Sequence, residues 1–297
     1  MLWGIEQDKL LDDADGNYIP GYTLADCFDR YAEEVSPKKQ GERWEVVRLR
    51  KLSRDNRLNA IQAHDLQRRD IELWIDGRLL EVAPGTVNRE LNLIISVVKR
   101  SVEWKLIPIY PLTGIERPGK TPSRKRRISE AEITSICTEL GIDPGNIRCY
   151  QKKHQLGVIF LFAIETACRL GEICTLTWAN VHLKKRFVHL PKTKNGDARD
   201  VPLSTRAVQL LSALHNADNG KAVFSISSGT ASTMFTRYVK KAGIKNLHFH
   251  DTRHEAVTRL AKKLDMLQLA KVVGHRDPRF LMIYYEPTAE ELAEHLD

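Results

Sequence analysis

Through most of residues 22–105 the apolar positions return at helical spacing. Val87, Leu91, Ile94, Ile95, Val98 and Val102 advance in steps that keep them on one face, so a helix is expected there. Thr86, just before the run, has the side-chain oxygen of a helix cap. Leu66, Leu73 and Trp74 mark another helix over residues 65–75, and Pro84-Gly85 separates the two. Further on, Ser129-Glu130-Ala131-Glu132 has the form of a capping box, and Ile133, Ile136, Cys137 and Leu140 follow at helical spacing. The pattern becomes strand-like over residues 186–190 and 198–203. Between them lies Lys192-Thr193-Lys194-Asn195-Gly196-Asp197, whose Asn-Gly pair suits a tight hairpin turn. Residues 286–297 suit a short amphipathic helix with Leu292 and Leu296 on one side. The fold class expected is mainly α with a small β-sheet.

Composition bounds the class of protein. The chain has 297 residues, 42% hydrophobic and 28% charged, which suggests about two folded domains and excludes a disordered chain. The longest uncharged apolar stretch, residues 156–164, is about half of what a membrane-crossing helix needs. The N-terminus is acidic and lacks the order of a signal peptide, so a cytoplasmic protein is expected, with no membrane partner. Five cysteines without a C-x-x-C pair favour reduced, buried thiols. Trp44, Trp74 and Trp104 are expected to pack between helices rather than to stack on bases.

Charge then divides the chain. The total is +8, but residues 1–20 carry −4, so the rest carries +12. Residues 117–127 hold Arg117, Lys120, Arg124, Lys125, Arg126 and Arg127 without one acid, together with Pro118, Gly119 and Pro122. Such a segment is an extended connector: either a solvated linker or a strap along a phosphate backbone, where counterion release favours binding. The organisation expected is an acidic segment (1–20), a helical domain with a cationic face (21–116), a basic linker (117–128), a second domain (129–285) and a tail (286–297).

Four islands in the second half concentrate chemistry: residues 165–178, 190–203, 247–260 and 273–286. Each has an ordinary reading. Arg169 and Glu172 could be an intrahelical ion pair, Lys194 a solvated turn lysine, and His248, His250 and His254 metal ligands. The metal reading is weak, because His250-Asp251-Thr252-Arg253-His254 lacks the glutamate of H-E-x-x-H and puts an arginine on the histidine face.

The ordered set R-x-x-E, hairpin lysine, H-x-x-R, G-H and a tyrosine nine residues later resembles the tyrosine recombinases, the phage integrase and Xer-type family. The resemblance covers the second domain, and the helical first domain with its linker fits that family's core-binding domain. It implies a site-specific recombinase acting in DNA integration, excision or inversion. Tyr284 would be the nucleophile forming a 3′-phosphotyrosyl link, Arg169 and Arg253 forks on nonbridging oxygens, and His275 a donor to the phosphate. His250 would accept or share the tyrosine proton, Lys194 would protonate the leaving 5′-oxygen, and Glu172 would orient an arginine. Lys192 and Tyr285 are neighbouring candidates for the lysine and tyrosine roles. Arg124, Lys125, Arg126, Arg127 and Arg237 are candidate DNA contacts.

The resemblance implies double-stranded DNA as partner, a homotetramer on paired sites joined through the tail, DNA-bending accessory proteins, and no metal or cofactor. Val273, Thr252 and Glu255 depart from the commonest family spelling without removing a catalytic group. About 20 residues precede the core-binding pattern, too few for the arm-binding domain that many phage integrases carry, which leaves either a simple recombinase or a truncated chain. The rival readings are a catalytically silent DNA-binding accessory protein and a metal-dependent hydrolase.

Overall fold

Helices α1 (Leu24–Glu34), α2 (Glu42–Leu52), α3 (Arg68–Leu79) and α4 (Pro84–Glu103) build the first part of the chain in the computed structural model. The structure describes residues 18–39, 41–119, 124, 126–149, 151–191, 198–215, 221–275 and 277–284. Thr23 opens α1 with a capping box: its hydroxyl accepts from Asp26 N–H, and the Asp26 carboxylate accepts from Thr23 N–H. Helix α4 starts earlier than the Thr86 cap predicts, because Pro84 at its first position has no N–H to leave unpaired and a backbone angle already set for a helix. Likewise residues 63–65 form a 3-10 turn, and α3 begins only at Arg68.

Leu24, Phe28, Leu49, Trp74, Leu91, Ile94 and Val98 fill this unit's core. Trp74 is fully buried, and its indole N–H donates to Asp55 at 3.2 Å. Trp44 departs from expectation. It is 49% exposed, with the Arg48 guanidinium 5.7 Å from its ring centre. Part of the expected cationic face is already neutralised, since Arg48 pairs with buried Glu90 and Arg57 with Asp55.

The chain divides after residue 123 into a second unit. It contains α5 (Glu130–Leu140), α6 (Lys152–Thr166), α7 (Leu170–Cys174), α8 (Thr205–His215), α9 (Ser228–Lys241), α10 (Asp251–Ala261) and α11 (Met266–Val273). Strands β1 (Val181–His182), β2 (Phe187–Leu190) and β3 (Arg199–Pro202) form an antiparallel sheet in the order β1-β2-β3, with Val188 opposite Val201. Arg186, expected in a strand, instead turns the chain between β1 and β2 at φ +57°. The Ser129 capping box opens α5, and Gly141 ends it at φ +69°.

The apolar run of residues 156–164 becomes the middle of α6, buried on every face. Helices α5, α8, α9 and α10 surround it. It is therefore a core helix, and no helix among the described residues is long and apolar enough to cross a membrane. A smaller cluster of Ala167, Ala256, Val257, Leu269, Val273 and Leu281 holds α10, α11 and a closing 3-10 helix (Pro278–Tyr284) together. All five cysteines are unpaired thiols, three of them buried.

Candidate active site

The site begins where α6 stops. Ala167 takes a left-handed conformation (φ +55°), which turns the chain so that Arg169 precedes α7 as its cap residue instead of lying within a helix. The Glu172 carboxylate accepts from the backbone N–H of Arg169 at 2.9 Å and from its guanidinium at 2.9 Å. The i, i+3 pair seen in the sequence is thus real, and it also covers an orphan donor at the start of α7. Burial alone would raise the Glu172 carboxyl. Hydrogen bonds from Arg199 and from Arg169 outweigh it and bring the group down to about 2.

Helix α10 carries the central cation. Arg253 is buried, and its two terminal nitrogens donate to backbone carbonyls, of Ala167 and, at 2.8 Å, of Val273. The α6 turn and the end of α11 therefore fix the fork from both sides. Burial first, then the neighbouring Arg169 charge, lower its guanidinium to about 10, which leaves it a cation at neutral pH. His250 stands at the N-terminus of α10, and its ring meets the His254 ring edge-on, with centres 5.6 Å apart. Burial and the charges of Arg253 and Arg169 lower His250 and His275 alike, so both imidazoles are neutral at pH 7. His275 follows Gly274, whose φ of +71° ends α11, and its backbone N–H returns to Ala270.

Tyr284 closes the arrangement from the 3-10 helix anchored by fully buried Leu281. Its hydroxyl is hydrogen-bonded to Nδ1 of His254. Burial raises the phenol and the Arg253 charge lowers it, with burial prevailing. At neutral pH the phenol thus keeps its proton until a base takes it. Three guanidinium groups (Arg169, Arg199 and Arg253) surround one carboxylate, Glu172, which leaves an excess of two positive charges before either histidine is counted. That balance suits a doubly charged phosphorane. Among the described residues no group of three or more His, Cys, Asp or Glu side chains could hold a metal ion.

The arrangement has known counterparts. Residues 126–291 match the phage integrase family. A putative integrase/recombinase of Haemophilus influenzae is 38% identical over 100% of this chain and 97% of its own length. The chain belongs to the phage integrase family. It is a tyrosine-type site-specific recombinase, mostly helical with a small sheet, as expected from its sequence. The shufflon-specific DNA recombinase of Escherichia coli is 31% identical, covering 93% of this chain and 72% of that one. In fold, lambda integrase is similar. A dimer of it bound to a COC′ core site superposes with a TM-score of 0.73 at 17% identity, covering 91% of this chain and 98% of that one. A tetramer bound to a Holliday junction gives 0.70 at 17%, covering 87% and 79%.

Within the recombinase, Arg169, Glu172, His250, Arg253, His275 and Tyr284 converge through direct contacts or mutual charge effects. Lys194, Lys192, Lys125, Tyr285 and the tail lie outside the described residues. Arg237 is exposed on α9, its guanidinium 5.3 Å from the Tyr238 ring centre.

The structure adds partners to two expectations. The described linker arginines are not a row of free cations: Arg117 donates to the Asn92 side-chain oxygen at 2.7 Å, and Arg124, Arg126 and Arg127 are each bound to an acid of the second unit. Arg124 holds buried Asp251 at 2.7 Å, Arg126 pairs with Glu132, and Arg127 with Glu255 at 2.7 Å. Their role is to tie the start of the unit to α5 and α10, an outcome set by acids more than 100 residues away in two of the three cases. The second concerns His250, expected to accept or share the tyrosine proton: the ring that touches the hydroxyl is that of His254, one helical turn further along α10, with the His250 ring against it. Sequence reasoning weighed His254 only as a metal ligand, although i, i+4 spacing already put it on the His250 face. It also missed Arg199. There the signal was strand alternation, which places Arg199 on the inward face with Val201 and Leu203.

Proposed function

We propose that the recombinase cleaves and rejoins DNA by transesterification at Tyr284. The tyrosine oxygen bonds to the scissile phosphorus while the bond from phosphorus to the 5′-oxygen breaks. The products are a 3′-phosphotyrosyl link and a free 5′-hydroxyl. The tyrosine proton passes to the histidine pair, with His254 in contact and His250 against it. The departing 5′-oxygen takes a proton from Lys194. Because one phosphoester replaces another, rejoining needs no external energy source. Arg169 and Arg253 neutralise the nonbridging oxygens, and His275 donates a hydrogen bond to one of them.

The observation that carries this reading is Arg253: a buried guanidinium pinned by two carbonyls, whose charge acts on Tyr284, His250 and His275. A cation held this rigidly needs no reorganisation when charge develops beside it. The similarity to lambda integrase, crystallised as a dimer on a core site and as a tetramer on a Holliday junction, supports duplex DNA as substrate and a tetramer as the working assembly.

A nicked suicide duplex tests the chemistry. A covalent protein–DNA band that forms in EDTA and is lost in Tyr284→Phe is the expected result. Cleavage that requires a divalent metal and leaves no adduct overturns it, as does binding without cleavage. Native mass measurement with paired sites tests assembly, and monomers alone at saturating DNA overturn the tetramer.

A further inference from the structure

The proposed chemistry uses two arginines, yet the site holds a third. Arg199 opens β3, opposite Leu190 in the register, and its side chain is only 9% exposed. Its terminal nitrogens form a fork on the Glu172 carboxylate, at 3.1 and 2.7 Å. Glu172 spends its remaining capacity on Arg169, so a single carboxylate couples the two guanidinium groups. The Arg199 side chain also occupies the space beside Gly274 that a side chain there would need. A Cβ built there would come within 3.1 Å of Arg199 Cδ and Nη1 and 3.2 Å of Nε. Gly274 at φ +71° is the residue before His275. Its lack of a side chain therefore serves the turn and the close approach together.

Two features show that this placement is not simple surface pairing. The Arg199 Nε is buried without a hydrogen-bond partner among the described residues, a cost that a merely structural ion pair has no reason to keep. Its charge also acts on Arg253 and His275, although it adds repulsion to an already cationic cluster.

We propose that Arg199 is a positioning residue for strand cleavage. It holds Glu172, and through it the Arg169 fork, while its side chain props the Gly274-His275 turn. A lysine could supply the charge but not the fork on both carboxylate oxygens. The inference rests on the reading of Tyr284 as nucleophile and of Arg169 as a phosphate ligand.

The test uses full-length protein and suicide duplexes with either an ordinary scissile phosphate or a methylphosphonate, which lacks one nonbridging negative charge. Arg169→Ala should lose rate on the phosphate and recover much of it on the methylphosphonate, because less charge then needs neutralising. If Arg199 acts through Arg169, Arg199→Met and Arg199→Lys should slow adduct formation by about 10²-fold on the phosphate, a loss typical of a misplaced group. Both should recover on the methylphosphonate. The double variant Arg169→Ala/Arg199→Met should be no slower than Arg169→Ala alone.

A defect of equal size on both substrates, or one that multiplies with Arg169→Ala, overturns the inference, as does wild-type rate in Arg199→Lys. Arg199→Lys keeps the question answerable should Arg199→Met unfold. Wild-type protein that forms no Tyr284-dependent adduct would instead overturn the underlying reading, so the two failures are distinguishable.

Discussion

Replacing Glu255 by glutamine removes a negative charge at the junction of the linker and α10 while preserving shape. The carboxylate is buried and accepts from Arg127 at 2.7 and 3.1 Å, from Arg259 at 2.8 Å and from the Ile128 N–H at 3.2 Å. Burial raises its proton affinity, but those donors bring it down to about 2 from an ordinary 4.5. That difference corresponds to roughly 3 kcal/mol of stability. With 52% of the Arg127 side chain in water, solvent screening reduces the figure to about 2 kcal/mol. For a unit of this size, the loss lowers the melting temperature by about 4–8 °C.

Trp178 is the one tryptophan after residue 123, so 19F NMR of 5-fluorotryptophan protein reports the second unit separately. The sign follows from a lowered carboxyl group. Its contribution is complete above the unfolded value of 4.5 and is lost as pH falls towards about 2. The gap between wild type and Glu255→Gln should therefore be full at pH 7 and shrink to well under half, roughly 20–40%, at pH 3. Other carboxylates titrate in both proteins and cancel. A gap under about 1 °C at pH 7, or one that persists undiminished at pH 3, refutes the reasoning.

The histidines give two further expectations. His254→Gln should slow adduct formation by about 10²-fold while leaving the melting temperature of the second unit nearly unchanged, because the contact removed is the one on the Tyr284 hydroxyl. Wild-type rate in that variant, with a large loss in His250→Gln, would return the proton to His250. In an NMR titration of the free protein, His250, His254 and His275 should all titrate below the ordinary 6.5, since burial and nearby arginines disfavour their charged forms. Adduct formation should accordingly hold at pH 6.5 and decline only below it, as the accepting imidazole protonates. Adding duplex DNA should raise His275, as phosphate offsets the arginine field. A midpoint at or above 6.5 in the free protein contradicts the assignment.

Much of the site was legible because its residue types are chemically restrictive. Two arginines, an H-x-x-R helix, a G-H turn and a tyrosine at set spacing have few other joint uses, and the structure brings Arg169, Arg253, His275 and Tyr284 into one electrostatic neighbourhood. The elements beneath them followed from local signals. The Ser129 box opens α5 as read, and the strand runs pair through β2 and β3. Element starts were less legible. Thr86 competed with Pro84, and the proline prevailed because its ring fixes the backbone whatever side chain follows.

What the linear pattern could not assign was partnership. Arg124 and Arg127 look like free cations until α10 brings Asp251 and Glu255 to them, and Arg199 looks like a strand residue until α7 presents Glu172. His250 and His254 lie on one helix face in any reading, and only the path of the 3-10 helix around Leu281 selects which ring meets Tyr284. The sequence by itself determined the helical fold and the reaction family, because those depend on period, capping and side-chain chemistry. The tertiary structure alone decided which acid each arginine serves and which histidine holds the hydroxyl. Those are contacts between distant segments, and electrostatic pairing depends on separation in space, which spacing along the chain does not set.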